Sequence, residues 1–182
     1  MKILLKSAGL AVALTLAATA SAALKTGAPA PAFSAPAYLA GKPFTFTLAD
    51  ALKKGPVVVY FFPAANTAGC NLEAHLFSEA VDQFKAHGAT VIGVTAGNTD
   101  QLADFSKNTE TCGGKFPVAA DEGAKIAAKY DATLAERPGW SDRTSYVITP
   151  QGTVAHAYSD RSPKQHVQET LDAVKALEHT GH

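Results

Sequence analysis

The chain has 182 residues, and its 16 basic and 16 acidic side chains give a formal net charge of zero. That balance leaves no electrostatic footprint for nucleic acid or an anionic membrane surface. Two cysteines in a chain of this length are no disulfide scaffold, and the length suits one domain whose core needs no staples.

The N-terminus carries Lys2 and Lys6, a short apolar run over 8–18 and the small-residue motif Ala20-Ser21-Ala22. This pattern predicts a signal peptide over 1–22, too short to span a bilayer, followed by a single exported domain over 23–182 in the periplasm or outside the cell. Taking Lys2 and Lys6 from the 16 basic residues leaves 14 against 16 acidic ones, a net charge of −2.

Residues 26–43 are rich in Ala, Pro and Gly and read as an extended lead-in. Residues 44–48 alternate like a half-buried strand, and the continuous apolar run 57–62 reads as a strand buried on both faces. Apolar residues then recur at helical spacing over 69–87, with Gly88 as the stop. A second buried strand is expected over 90–95, a short helix over 100–107 capped by Asn98 or Thr99, a short strand over 116–119 and a helix over 121–130. Residues 144–149 and 153–158 read as a hairpin around Pro150-Gln151-Gly152. A last helix follows Ser162-Pro163, with Val167, Leu171, Val174 and Leu177 on its buried face. This order implies an α/β fold, a mixed central sheet with helices on both faces.

Cys70 stands where the buried strand ends and the first long helix begins. A helix N-terminus stabilises a thiolate by roughly 0.3–2 kcal/mol, and a nearby cation adds to that. Thr67, three residues earlier, reads either as a helix N-cap or as a hydroxyl on the same side as the sulfur. Pro63 reads as a strand-ending proline or as a shield that offers the sulfur no N–H. Glu73, one turn on, is an exposed first-turn glutamate or a partner for a cation. There is no Cys-x-x-Cys, no phosphate-cradling Gly-rich loop and no Ser/His/Asp arrangement.

Pro63-x-x-x-Thr67-x-x-Cys70, set directly after Val57-Val58-Val59-Tyr60-Phe61-Phe62, resembles the active-site signature of the peroxiredoxins. With His87-Gly88-Ala89-Thr90-Val91-Ile92-Gly93-Val94 and the strand that starts at Arg143, nearly the whole mature chain looks like the PrxQ or bacterioferritin comigratory protein branch. The resemblance implies a thioredoxin-like fold with a peroxiredoxin-type N-terminal extension. It also implies a cofactor-free, thiol-dependent peroxidase for hydrogen peroxide or organic hydroperoxides, a monomer or homodimer. Cys70 would be the nucleophile, Arg143 the cation facing it, Thr67 and Pro63 the rest of the pocket, and Glu73 a support for Arg143. A sulfenic acid on Cys70 would pass to a disulfide, to be reduced by a thioredoxin-like or small-thiol partner.

Many members of that branch place a second cysteine five positions after the first, where this chain has His75. Cys112 is then the candidate resolving thiol, with a bystander thiol or a static structural disulfide as the alternatives. His75 reads as a helix-surface residue or as a neighbour of the site. Copper-handling Sco-like proteins share the fold but use two cysteines in one segment, so no metal site is expected here. The competing functional class is a non-catalytic thioredoxin-fold module that binds a partner or a metal.

Overall fold

The computed structural model describes residues 23–180; the expected signal peptide lies outside them. The central strand β3 (Val57–Phe61) has all five residues buried. Successive side chains of a strand point to opposite faces, so one apolar run feeds two cores. Val57, Val59 and Phe61 join one core, and Val58 and Tyr60, with the following Phe62, join the other. Full burial of each such side chain contributes about 1.5–3 kcal/mol.

Among the described residues, seven strands form one sheet. A hairpin of β1 (Ser34–Leu39) and β2 (Lys42–Thr47) stands at one edge. β4 (Thr90–Thr95), β5 (Val118–Ala120) and β3 pair in parallel, and β6 (Thr144–Ile148) and β7 (Val154–Ser159) complete the other side antiparallel. The order is β2-β1-β5-β4-β3-β6-β7. Leu48 and Ala51 of α1 (Leu48–Leu52) and Ile126 and Ala127 of α4 (Lys125–Lys129) cover one face. α2 (Ala68–Ala86), α3 (Leu102–Lys107) and α5 (His166–Thr180) cover the other. This is the expected mixed sheet with helices on both faces, and the β1–β2 hairpin is its N-terminal extension. Among the described residues, no helix is long and apolar enough to cross a membrane.

Three expectations change in detail. The lead-in contains β1, whose inward positions are the small Ala35 and Ala37, so its alternation is faint in the sequence although both are buried. The helix expected over 121–130 is a 3-10 turn, Glu122–Ala124, and then α4. Gly123 and Ala124 adopt left-handed conformations between them (φ 75° and 54°). Both oxygens of the Asp121 carboxyl accept from the first N–H groups of the restarted helix, at Ile126 and Ala127, each at 2.8 Å. Likewise the helices after Asn98 and after Ser162 open as 3-10 turns, Thr99–Gln101 and Pro163–Gln165, with no side-chain cap bond from either residue.

The register decides where the chemistry collects. Phe61 at the end of β3 pairs with Thr144 at the start of β6. The chain leaving β3 toward α2 therefore runs beside the residue that enters β6, Arg143.

Candidate active site

After β3 the chain turns through Pro63 to Thr67. Ala65 N–H donates to the Gly97 carbonyl (3.2 Å), Thr95 Oγ1 donates to the Pro63 carbonyl (3.1 Å), and Asn66 takes a left-handed conformation (φ 58°). Thr67 then stands at the N-cap of α2 in an extended conformation, but its hydroxyl makes no cap bond. The hydroxyl donates instead to the Ala64 carbonyl at 3.0 Å, tying the turn together.

The first i→i−4 bond of α2 runs from Asn71 N–H to the Thr67 carbonyl (2.8 Å). Cys70 sits in the first turn, where backbone N–H groups lack intrahelical partners and the helix presents its positive end. Its side chain is 1% exposed.

Arg143, 6% exposed, reaches Cys70 from the position just before β6. Its Nη2 lies 3.5 Å from Cys70 Sγ, its Nη1 donates to Glu73 Oε2, and its Nε donates to the Arg161 carbonyl at 2.9 Å. A guanidinium presents its donors in a rigid fork, and here each of its three nitrogens has a different partner. Burial pulls the Arg143 ionisation down, but the facing Glu73 and Cys70 more than offset it, and it stays a firm cation.

Glu73 is fully buried, not an exposed first-turn residue. Burial pushes its carboxyl up to about 8, with Arg143 opposing the shift. Only Oε2 meets a donor; Oε1 has none.

Next to the guanidinium is a cleft of about 360 Å³ lined by Pro63, Leu134, Glu136, Asp142, Arg143 and Arg161. Arg161 and Glu136, from two separate loops, form an exposed ion pair at its rim. Cys70 is not among its walls; Arg143 lines the cleft and also contacts the sulfur.

The other candidates lie apart from this cluster. Cys112 is a free, fully buried thiol in the loop between α3 and β5, and burial pushes it up. Its loop is fastened to α2: Lys115 Nζ donates to the Ser78 carbonyl at 3.1 Å. Ser78 lies eight residues beyond Cys70, about 12 Å along the helix at 1.5 Å per residue. His75 faces Glu79 on the helix surface, with Nε2 3.6 Å from the carboxylate. Trp140 packs under Arg137 (3.4 Å from the guanidinium carbon to the ring centre) and does not line the cleft. No group of three or more His, Cys, Asp or Glu side chains suited to a metal occurs among the described residues.

Three features of the site have no readable signal in the sequence. They are the Arg161 carbonyl that holds Nε, the rim pair Arg161–Glu136, and His166, a fully buried histidine 3.6 Å from Glu73.

Known proteins resemble this chain in sequence and in fold. The chain is similar to the chloroplastic peroxiredoxin Q of Oryza sativa subsp. japonica, with 32% identity over 126 residues covering 69% of the chain and 57% of that protein. It is similar to the chloroplastic peroxiredoxin Q of Sedum lineare at 32% identity, covering 69% of the chain and 66% of the relative. The chain thus spans between 57% and 66% of the length of these curated relatives. The crystal structure of peroxidoxin BcpB from Mycobacterium tuberculosis superposes with a TM-score of 0.74 at 26% identity, covering 85% of this chain and 98% of that one. The AhpC/TSA family model matches residues 26–157. That span takes in the strand before Cys70, the whole of α2 and the strand that carries Arg143, and the chain belongs to the AhpC/TSA family, the peroxiredoxins.

Proposed function

We propose that the chain is an exported thiol peroxidase that reduces hydrogen peroxide or organic hydroperoxides through Cys70. One observation carries the reading: a buried cysteine at a helix start faces a buried guanidinium that is itself held by a carboxyl and a backbone carbonyl.

The Cys70 thiolate attacks the terminal oxygen of the hydroperoxide. An S–O bond forms as the O–O bond breaks, the sulfur is oxidised, and the leaving alkoxide or hydroxide takes a proton to become alcohol or water. Arg143 Nη2 is the donor available to stabilise negative charge along the breaking bond. Thr67 and Pro63 shape the approach, and Glu73 fixes the guanidinium. Cys112 then attacks the sulfenic sulfur and displaces water, leaving a Cys70–Cys112 disulfide that a thioredoxin-like or small-thiol reductant returns to two thiols. A thiol held protonated by burial is a poor nucleophile, so Cys112 attacks only after its loop leaves α2 and the first turn of α2 opens. Export rests on the signal-like pattern before Ala23, and fractionation of expressing cells checks it.

Peroxide consumption by wild type and Cys70→Ser, with dithiothreitol and then with candidate protein reductants, tests the activity. The wild type consumes peroxide and Cys70→Ser does not; equal rates would overturn the reading in favour of a non-catalytic binding module. Mass spectrometry after stoichiometric peroxide tests the resolving step. A stable sulfenic acid without a Cys70–Cys112 linkage would leave Cys112 a bystander.

A further inference from the structure

His166 opens α5 and is fully buried. Its Nε2 lies 2.9 Å from the Asp160 carbonyl oxygen, which can only accept, so Nε2 carries the hydrogen. In the neutral ring Nδ1, 2.8 Å from Ser145 Oγ, is then the acceptor of the serine hydroxyl. The Tyr158 ring closes one face of the imidazole edge-on at 4.8 Å.

Both contacts lead to Arg143. Ser145 lies two residues beyond it in β6, so its hydroxyl braces the strand that delivers the guanidinium. Asp160 directly precedes Arg161, whose carbonyl accepts Arg143 Nε at 2.9 Å. Consecutive carbonyls of one loop are thus held by His166 and used by Arg143. His166 Nδ1 also faces the unpartnered Glu73 Oε1 at 3.6 Å, too far for a hydrogen bond.

We infer that His166 is a positioning residue for Arg143. Its uncharged ring pins the Asp160–Arg161 carbonyls and Ser145 so that the guanidinium fork stays aimed at Cys70 and Glu73. The ionisable groups around the ring are Glu73 from α2, Arg143 and Asp142 at the entry to β6, Tyr158 from β7 and Asp160 from the loop. Burial holds His166 below the usual histidine range and Arg143 adds to that, which favours a neutral ring that donates to the Asp160 carbonyl and accepts from Ser145. A protonated ring would instead donate Nδ1–H to Ser145 Oγ and place a second cation 3.6 Å from Glu73 Oε1, in competition with Arg143 for the carboxyl.

The kinetic consequence rests on the peroxidase reading, but the aim of the guanidinium does not, and two readouts separate them. The first is the second-order rate with hydrogen peroxide. The second is the pH profile of Cys70 alkylation by iodoacetamide in a Cys112→Ser background, which needs no peroxidase activity. His166→Leu is expected to lose at least ~10-fold in both rates near neutral pH, with the alkylation profile displaced to higher pH. His166→Gln, whose amide N–H can reach the Asp160 carbonyl, is expected to recover most of the loss. A folded His166→Leu with wild-type rates would overturn the inference, and so would equal losses in the Leu and Gln variants. Should wild type consume no peroxide while the alkylation differences hold, the peroxidase reading fails and the positioning role stands. If His166→Leu does not fold, ¹⁵N-histidine spectra of the wild type decide. A neutral ring with hydrogen on Nε2 is expected near pH 7, and an imidazolium or the Nδ1–H tautomer would overturn the inference.

Discussion

A Cβ added at Gly69 would stand 3.1 Å from Arg143 Nη2, so the absence of a side chain at 69 gives the guanidinium its place beside Cys70. Gly69→Ala sets two effects against each other. Alanine in the first turn of a helix gains about 0.5–1 kcal/mol over glycine. The same methyl pushes the guanidinium aside by a few tenths of an ångström. We expect Gly69→Ala to melt no lower than wild type while its rate with peroxide falls roughly 3- to 10-fold, since ångström-scale misplacement costs up to about 100-fold. Stopped-flow peroxide reduction beside a thermal melt reads both; an unchanged rate would show that the guanidinium tolerates the methyl.

Glu73 makes stability depend on pH in a stated direction. Its carboxyl is raised by burial from 4.5 to about 8, so between those values the folded chain keeps a proton that the unfolded chain has lost. The contribution to stability is whole below pH 4.5 and drains away as pH rises toward 8. Glu73→Gln cannot titrate. Denaturation at a series of pH values should show the stability of wild type relative to Glu73→Gln falling across that window, at most about 1.4 kcal/mol per pH unit for one proton. A flat difference would mean that the carboxyl is ionised throughout.

Lys115 is expected to restrain the Cys112 loop. Losing its bond to the Ser78 carbonyl should remove about 1 kcal/mol of hold, and Lys115→Met should then form the Cys70–Cys112 disulfide about 5-fold faster after a peroxide pulse. Quenched-flow trapping followed by mass spectrometry measures this. A rate that does not change would place the slow step in the opening of α2.

Much of the site was legible because its parts are local. The apolar strand, the Pro63–Cys70 spacing and the long helix follow from periodicity and turn chemistry, and the family resemblance directed attention to Arg143. What the sequence hides is contact between distant segments. Glu73 looks like a solvent-facing first-turn residue until Arg143, at the entry to β6, is laid over it. His166 looks like any polar residue after Ser162-Pro163 until α5 packs on the sheet. β1 is hidden for another reason: alanines at its inward positions carry too little apolar contrast to separate strand from linker.

Gly93 in β4 makes room for Tyr60. A Cβ there would lie 2.7 Å from the Tyr60 ring carbon and hydroxyl and 3.0 Å from Phe62. Tyr60 is fully buried and stacked between Phe77 and Phe62, with centroids at 4.4 and 5.4 Å. Gly93→Ala should therefore destabilise by about 1–3 kcal/mol despite the usual benefit of replacing glycine in a strand. Urea denaturation checks this, and equal or greater stability would show that the aromatic stack shifts freely.

The pairing of Phe61 with Thr144 carries a consequence for how activity arises. Cys70 and Arg143 are 73 residues apart in the chain and meet only through the β3–β6 ladder. A slip of one residue in that ladder would turn the β6 side chains to the opposite face of the sheet. Loop-closure entropy must be overcome before contacts of such long range form. The cysteine therefore has no guanidinium beside it until that ladder has closed in register, and a partly folded chain carries only an ordinary thiol. On the peroxidase reading, peroxide reactivity would be a property of the finished sheet, and its appearance during refolding would time the closure of β3 on β6.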